Sequence, residues 1–160
     1  DQLSQIIDSD KRNGLAIMHG DFCFTNIFFD SRLKNIRLID PRGYISQFKN
    51  TIHGDTRYDL AKFLHSIEGY DLILARLSDF KLNSDYSASI SFPKSKSFDY
   101  IKQESLTRNI DSFSLKDQSV RALTILLFFA MLPLHLDKPN RQKAFIANAL
   151  RLFAESEFSK

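Results

Sequence analysis

The chain has 160 residues, of which 43% are hydrophobic and 26% charged, as is usual for a soluble globular domain. At this length we expect one domain with a substantial hydrophobic core. The single cysteine excludes a secreted scaffold held by internal disulfides and favours a reducing compartment, so we expect a cytoplasmic protein. A net charge of +3 lacks the dense basic stripe typical of nucleic-acid binding, and we expect no nucleic-acid partner.

The sequence predicts neither a targeting segment nor a membrane-spanning helix. No charged start followed by an apolar run is present, so no signal peptide is predicted. Because the first residue is Asp1 and not Met, we expect a trimmed polypeptide or a piece of a longer one. The longest apolar run, from Leu123 to Leu134, is about half of a membrane span and predicts a buried helix, with no membrane span.

The N-terminal third predicts one helix end and two strands. These elements are the helix end Leu3–Asp10, stopped by Asn13-Gly14, and the strands Ile27–Phe29 and Ile36–Ile39. Turn-forming residues from Asp30 to Asn35 separate the two strands. A stretch rich in glycine and polar residues follows from Pro41 to Arg57, and no element is predicted there.

Helical spacing begins near residue 60 and can extend past Gly69 towards Leu77. The apolar stripe consists of Leu60, Phe63, Leu64 and Ile67, and the polar residues Lys62, Ser66 and Glu68 fall outside it. Residues 80–112 are rich in Ser, Asp and Lys. There, the alternation from Ser87 to Phe92 indicates a strand, and Lys94-Ser95-Lys96 indicates a solvated loop.

The C-terminal part predicts two helices. Ser114 and Asp117 have the spacing of a capping box that opens a helix over Leu115–Leu132, which Pro133 ends. Pro139 suits the first position of the last helix. That helix carries Ala144, Phe145, Ala147, Asn148, Leu150 and Leu152, and the Phe and Leu stripe of residues 125–136 is expected in the core. The fold class is therefore α+β, mainly α, with a small β element near the N-terminus.

Three segments carry polar residues suited to chemistry, and they occur in order. They are His19-Gly20-Asp21-Phe22-Cys23-Phe24-Thr25-Asn26, Leu38-Ile39-Asp40, and Gly54-Asp55-Thr56-Arg57-Tyr58-Asp59-Leu60-Ala61. Transfer of a γ-phosphoryl group to a hydroxyl needs a carboxylate that accepts the proton and hard oxygen ligands for Mg²⁺. A loop that carries Asp21 and Asn26, with Asp40 at the end of the next strand, fits this arrangement.

On these motifs the chain resembles the C-terminal lobe of aminoglycoside phosphotransferase and choline kinase-like enzymes, over about residues 1–155. These enzymes share the protein-kinase-like fold, whose catalytic loop has the same Asp-to-Asn spacing. The resemblance implies that Asp21 is the catalytic Asp, that His19 braces its loop, and that Asn26 and Asp40 bind magnesium. Asp59 would anchor the loop from behind by hydrogen bonds.

The resemblance also implies the cofactors Mg²⁺ and ATP, or GTP, and a small-molecule hydroxyl acceptor. A sugar, an amino sugar, an amino alcohol such as choline, or a surface-polysaccharide precursor would fit. Gly20 stands where protein kinases have Arg, which favours a small-molecule kinase. Arg42 would contact a phosphate or an anionic substrate, with a structural ion pair as the equal alternative.

The sequence also departs from the family, because it has no Gly-rich phosphate loop and no Val-Ala-Ile-Lys-like strand. We therefore expect one kinase-like C-lobe over residues 1–160, which needs an N-terminal nucleotide-binding lobe in cis. The alternatives are a non-catalytic kinase-like binding module and, less favoured, a metal-dependent hydrolase.

The remaining candidate residues favour structural roles. We expect Asp55 to cap the helix that follows it, or to brace it, and Cys23 to pack as a small side chain. His53, His65 and His135 lack partners at metal-ligand spacing, so no zinc site is predicted. For His135, core or capping duty is preferred over substrate contact.

Overall fold

The structure is a computed structural model that describes residues 2–12, 14–46, 49–83 and 87–159. It has a mixed α+β fold that is mainly helical, which confirms the α+β, mainly α, part of the predicted fold class. The β structure is not confined to the predicted element near the N-terminus, because strand pairs also occur within residues 79–91 and 109–114. The helices are α1 (Gln2–Ser9), α2 (Thr56–Ile67), α3 (Tyr70–Leu74), α4 (Lys96–Leu106), α5 (Gln118–Ala130) and α6 (Pro139–Glu155). Single 3₁₀ turns occur at Phe24–Asn26, Pro133–His135 and Glu157–Ser159.

Within those described ranges the strands pair two by two into antiparallel ribbons and form no larger sheet. The strands are β1 (Leu15–Ile17), β2 (Ile27–Asp30), β3 (Asn35–Leu38), β4 (Tyr44–Ser46), β5 (Lys49–Asn50), β6 (His53–Asp55), β7 (Asp79–Leu82), β8 (Ala88–Ser91), β9 (Asn109–Ile110) and β10 (Phe113–Ser114). The pairs are β1 with β6, β2 with β3, β4 with β5, β7 with β8, and β9 with β10. The ribbons therefore position loops around the helices, and the helices supply the core.

Helix α5 is the centre of the fold and contacts α1, α2 and α6. Its side chains join two buried clusters, one with α3 and α6 around Phe128 and Phe145, and one with α2 around Leu64 and Phe113. By length and composition alone, the segment Gln118–His135 could cross a membrane. In this fold its helical part packs against three other helices, as a core helix does.

The predicted N-terminal elements are largely confirmed. The helix is α1, and the two strands form the β2/β3 hairpin, in which Ile27 pairs with Leu38. The carboxylate of Asp30 accepts hydrogen bonds from the backbone N–H groups of Arg32 and Leu33, which fixes the turn. Asn13, the predicted stop signal of α1, lies outside the described residues.

No element was predicted for the stretch from Pro41 to Arg57, but its described part contains strands. Strands β4, β5 and β6 lie there, and β6 pairs with β1 through the register Ala16 to Gly54. Residues 47–48 of this stretch are outside the described ranges. The polar and glycine-rich composition hid these strands because each is only two or three residues long.

The long helix expected from residue 60 past Gly69 is broken into α2 and α3. Gly69 has φ +111°, a left-handed conformation that ends the helical path, and it precedes α3. A Cβ at this position would clash with the ring of Phe92. Glycine is therefore required both by the backbone angle and by the close approach of Phe92, the residue that follows β8.

The serine-rich stretch contains more structure than predicted. Strand β8 confirms the expected strand, and β7 pairs with it. Lys96, expected in a solvated loop, begins α4, because Ser95 accepts a hydrogen bond from the backbone N–H of Phe98 and caps the helix. Residues 84–86 of this stretch lie outside the described ranges.

The expected start of the central helix is shifted. α5 begins at Gln118, with Asp117 as N-cap, because Ser114 Oγ accepts from Lys116 N–H and so makes a turn before the helix. The last helix begins at Pro139 as predicted. Not every predicted core position in residues 125–136 is buried: Phe129, Leu134 and Leu136 are exposed.

Candidate functional site

The segment from His19 to Asn26, here called the 19–26 loop, lies between β1 and β2 and packs along α2. The carboxylate of Asp59 accepts hydrogen bonds from the backbone N–H groups of His19, at 2.7 Å, and Gly20, at 2.8 Å. Gly20 has φ +77°, and a Cβ there would lie 2.8 Å from Arg42 Cβ. Asp59 thus makes the contact with the loop that the resemblance implied, and only glycine fits at position 20.

Two further polar side chains of α2 face the same loop. Lys62 Nζ lies 2.6 Å from Asp21 Oδ1, and Ser66 Oγ accepts a hydrogen bond of 3.1 Å from the backbone N–H of Phe24. Asp59, Lys62 and Ser66 are spaced i, i+3 and i+7, so they lie on one face of the helix. We call these three residues the polar stripe of α2. Each of them holds a different part of the 19–26 loop.

Aromatic packing fixes the loop from the side. Phe22 stacks on Phe63 of α2 with ring centroids 5.7 Å apart, and Phe24 meets the same ring edge-on at 5.3 Å. Phe24 also contacts Phe98 of α4, at 6.2 Å. Cys23, which lies between Phe22 and Phe24 in the sequence, is buried, as expected of a small packing residue. Its Sγ lies 3.2 Å from Thr25 Oγ1. The loop is therefore held by both polar and apolar contacts.

Asp21 is the residue on which these contacts converge. Its side chain is 31% exposed, whereas the paired Lys62 is 3% exposed. The second carboxylate oxygen, Oδ2, accepts a hydrogen bond of 3.1 Å from Asn26 Nδ2, which also donates to the backbone carbonyl of Asp21 at 2.9 Å. One carboxylate thus has a buried cation behind it, an amide beside it and an open side towards solvent.

Asn26 and Asp40 are brought to neighbouring positions by the hairpin. The backbone N–H of Ile39 donates to the carbonyl of Asn26 at 3.1 Å, so the β2/β3 pairing continues up to the residue before Asp40. Asp40 is exposed, has a left-handed φ of +58°, and makes no hydrogen bond with its carboxylate among the described residues.

This arrangement fits a magnesium ion. The Nδ2 of Asn26 is used by Asp21, which leaves its amide oxygen as a hard ligand, and Asp40 offers a free carboxylate. In the part of the chain that the structure describes, no group of three or more His, Cys, Asp or Glu side chains is placed to hold a metal. Mg²⁺ needs no such cage, because it is commonly held by one or two protein ligands together with phosphate oxygens and water.

His19 and Arg42 tie the loop to its neighbours. His19 Nδ1 accepts from the backbone N–H of Asp21, and its Nε2 lies 2.9 Å from the carbonyl of Ile39. This pattern assigns the ring proton to Nε2, since a carbonyl can only accept. Arg42 donates from its backbone to the carbonyl of His19 and from Nη1 to the hydroxyl of Tyr58, at 2.8 Å each. In the described structure the Arg42 guanidinium contacts Tyr58 and forms no ion pair.

Asp55 caps α2, as predicted. Its carboxylate accepts from the backbone N–H of Arg57 at 2.9 Å and forms an ion pair with the Arg57 guanidinium at 2.6 Å. This hydrogen-bonded pair raises the pKa of Arg57 further above its ordinary value. Asp55 has no contact with the 19–26 loop in the described structure, so its role lies in starting the helix that carries the polar stripe.

A second layer of polar groups lies behind Lys62. His65 is fully buried between the rings of Tyr70 and Phe128, and neither of its ring nitrogens has a hydrogen-bond partner among the described residues. Burial, and then the Lys62 charge, hold the pKa of His65 well below its ordinary value. Both carboxylate oxygens of Asp71 are also buried, and burial raises the pKa of Asp71 although Ser66 and Lys62 act in the opposite direction.

The sequence analysis missed Lys62, Ser66 and Asp71. The first two fall outside the apolar stripe of α2 in the sequence, yet Lys62 is 3% exposed and Ser66 is 0% exposed. A signal was available: with Asp59 they form a second stripe at helical spacing, beside the apolar one. The 19–26 loop has backbone N–H groups that such a stripe can satisfy.

No protein-family model, no curated protein and no solved structure matches this chain.

Proposed function

We propose that the chain is the catalytic C-terminal lobe of a small-molecule phosphotransferase, which transfers the γ-phosphoryl group of ATP or GTP to a hydroxyl. The observation that carries the proposal is the environment of Asp21. Its carboxylate is fixed by Lys62 and Asn26 on a loop that Asp59 braces, and it keeps an open side. A positioned carboxylate of this kind is what phosphoryl transfer requires of a protein.

The chemical step assigns each group a role. The acceptor hydroxyl oxygen forms a bond to the γ-phosphorus, the bond from that phosphorus to the β,γ-bridging oxygen breaks, and the hydroxyl proton passes to Asp21. Because the ion pair with Lys62 and the amide of Asn26 fix the carboxylate, Asp21 can orient the attacking oxygen. His19, whose Nδ1 accepts from the N–H of Asp21, helps to hold the backbone there.

Asn26 and Asp40 are the residues that would hold Mg²⁺, through the free amide oxygen and the free carboxylate. The ion supplies charge neutralisation at the phosphate oxygens. Arg42 is assigned to holding the loop against Tyr58, in preference to phosphate contact. The Gly-rich loop and the nucleotide-pairing Lys are missing from the sequence, so an N-terminal lobe in cis would supply them.

The test is Asp21→Asn in the natural polypeptide that contains this chain. The readout is transfer of radiolabelled γ-phosphate from ATP or GTP to a panel of sugars, amino sugars and amino alcohols. Loss of a general base typically costs between about a hundredfold and ten-thousandfold, and we expect a loss in kcat in that range.

Asp8→Asn is the matched control, because Asp8 is an exposed carboxylate on α1. It should leave transfer unchanged. If Asp21→Asn retains the turnover of the Asp8→Asn control, Asp21 is not the base. If the unaltered polypeptide binds nucleotide but transfers phosphate to no acceptor and to no water, the alternative of a non-catalytic binding module is favoured.

A further inference from the structure

A cavity of about 770 Å³ lies away from the 19–26 loop, between the end of α3, strand β7 and the start of α6. Its apolar floor includes Ile73, Phe80 and Ala144. The volume falls within the range of small-molecule sites, about 300–1,000 Å³, and far exceeds what a single inorganic ion would fill. The cavity is therefore large enough for an organic ligand.

The rim of this cavity is cationic. Arg76, Lys138 and Arg141 line it together with one acidic residue, Asp79, so its charged side chains sum to +2. Asp79 Oδ2 lies 3.6 Å from Lys81 Nζ, so this carboxylate pairs with a cation outside the cavity. The cavity thus presents positive charge beside an apolar floor.

Two of these cations lack a carboxylate partner. Among the described residues, neither Arg76 nor Arg141 takes part in an ion pair. A half-buried guanidinium without an acidic partner is costly, because burial removes part of its hydration and no negative charge among the described residues compensates for it. Arg141 is such a guanidinium, and a bound anion would supply the missing charge partner.

Arg141 is also held in place. Its Nη2 donates to the carbonyl of Leu74 at 3.1 Å, and its Nη1 lies 3.3 Å from Nδ1 of His135. Burial and then the Arg141 charge lower the pKa of His135, so His135 remains a neutral acceptor for the guanidinium. The orientation of Arg141 is fixed in advance, which reduces the entropy lost when a ligand binds.

We propose that this cavity binds a phosphate monoester of a small organic molecule. A phosphate monoester carries a charge near −2 at neutral pH, which matches the rim, and its oxygens suit the planar fork of arginine. The organic part would cover the apolar floor at Ile73 and Phe80. The proposal is independent of phosphoryl transfer, since it needs neither nucleotide nor Asp21.

The experiment is titration of the ¹⁵N-labelled 160-residue chain, without Mg²⁺ or nucleotide, by NMR and calorimetry. The probes are glucose 6-phosphate, glycerol 3-phosphate, adenosine monophosphate, glucose and inorganic phosphate. At least one of the three monoesters should bind with a dissociation constant below about 1 mM and shift the amide signals of residues 76–80 and 138–144. Glucose should not bind, and inorganic phosphate should bind at least about tenfold more weakly than the best monoester.

Two variants and a control locate the binding. Arg76→Ala removes an exposed side chain without a hydrogen bond in the described structure, so it should weaken binding about tenfold with an unchanged fold. Arg141→Lys keeps the charge and should still weaken binding by loss of the fork. Arg37→Ala, an equal loss of charge on the distant hairpin, should have no effect.

Three results would overturn the proposal. They are the absence of binding by all three monoesters, equal affinity for inorganic phosphate and the best monoester, and equal weakening by Arg37→Ala and Arg76→Ala. A failure of phosphate transfer in the Asp21 experiment would leave this binding result untouched.

Discussion

The two sides of the candidate site are built differently. On one side, Asp21 is held by the polar stripe of α2, in which Lys62 is 3% exposed and Ser66 is 0% exposed. On the other side, every residue from Ser31 to Pro41 is exposed, and Asp40 has no hydrogen bond from its carboxylate to the described residues. Asp21 is packed against the core through α2, whereas Asp40 stands at the end of an exposed hairpin of two strands.

This difference separates folding from function within one site. Removing one partner of the ion pair buried beside α2 leaves the other charge uncompensated, so a substitution there destabilises the fold as well as altering the site. A charge on the exposed hairpin contributes little to folding, so a substitution there should change only what the site binds. The three predictions that follow test this contrast, and they run from the largest effect on stability to the smallest.

Lys62→Met should destabilise the chain by about 2–3 kcal/mol, because it leaves the Asp21 carboxylate without its buried partner. The expected loss is below that of a fully buried pair, since Asp21 is 31% exposed and can be hydrated. Urea denaturation followed by circular dichroism measures it. Lys143→Met, on the exposed face of α6, is the control and should change stability by less than about 0.5 kcal/mol.

A double variant sharpens this test. Adding Asp21→Asn to Lys62→Met removes the unpaired charge, so the double variant should be more stable than Lys62→Met alone. If Lys62→Met proves as mild as Lys143→Met, the ion pair does not hold the loop in solution.

His65→Phe should make the stability of the chain less sensitive to acid. The pKa of His65 is held below its ordinary value near 6.5, so the unfolded chain takes up a proton that the folded chain does not. Protonation of His65 therefore favours the unfolded chain, so the stability of the folded chain falls as the pH drops below about 6.5. Between pH 7.5 and 5.5 the unaltered chain should lose about 1 kcal/mol more stability than His65→Phe.

The measurement is urea denaturation at both pH values, and Phe is chosen because it can fill the space between the rings of Tyr70 and Phe128. His53→Phe is the control, since His53 is an exposed histidine of β6 and should leave the acid sensitivity as it is. Identical losses in His65→Phe and the unaltered chain would mean that His65 is hydrated and titrates normally.

Asp40→Asn should leave stability within about 0.5 kcal/mol, because the side chain is exposed and Asn tolerates the left-handed backbone at φ +58°. It should nevertheless weaken divalent-ion binding. With Mn²⁺ as a paramagnetic probe, broadening of the amide signals near Asn26 and Asp40 should require at least about tenfold more ion in the variant.

Asp30→Asn is a useful comparison, because Asp30 lies on the same hairpin with its carboxylate engaged in the turn. It should leave the Mn²⁺ broadening near Asn26 unchanged. Broadening that is equal in Asp40→Asn and the unaltered chain would remove Asp40 from the metal site.

Much of the local structure could be predicted from the sequence because local signals carried it. The β2/β3 hairpin follows from two apolar runs around turn residues, and α6 begins at Pro139, which suits a first helical turn. Asp55 was expected to cap or brace α2 and does cap it. In each case the residues that decide the structure are neighbours in sequence.

The features that were not predicted depend on contacts between residues that are distant in sequence. The role of Lys62 was not predicted because nothing near it in sequence shows that Asp21 lies against it, 41 positions earlier. Strand β6 has the sequence His53-Gly54-Asp55, which has no strand propensity, and pairing with β1 determines its conformation. The cavity near Arg141 is likewise invisible to motif analysis, because α3, β7 and α6 form it together.

The break at Gly69 also limits how this sequence can diverge. Any side chain at position 69 would meet the ring of Phe92 and would in addition sit at φ +111°, where residues with a Cβ are strained. A smaller residue at position 92 could relieve the first problem but never the second. By contrast, Gly43 shares a positive φ of +66°, yet no atom of the described residues lies within 4 Å of a would-be Cβ, so Asn or Asp could replace it. In a library of functional variants, position 69 should remain glycine long after position 43 has diversified.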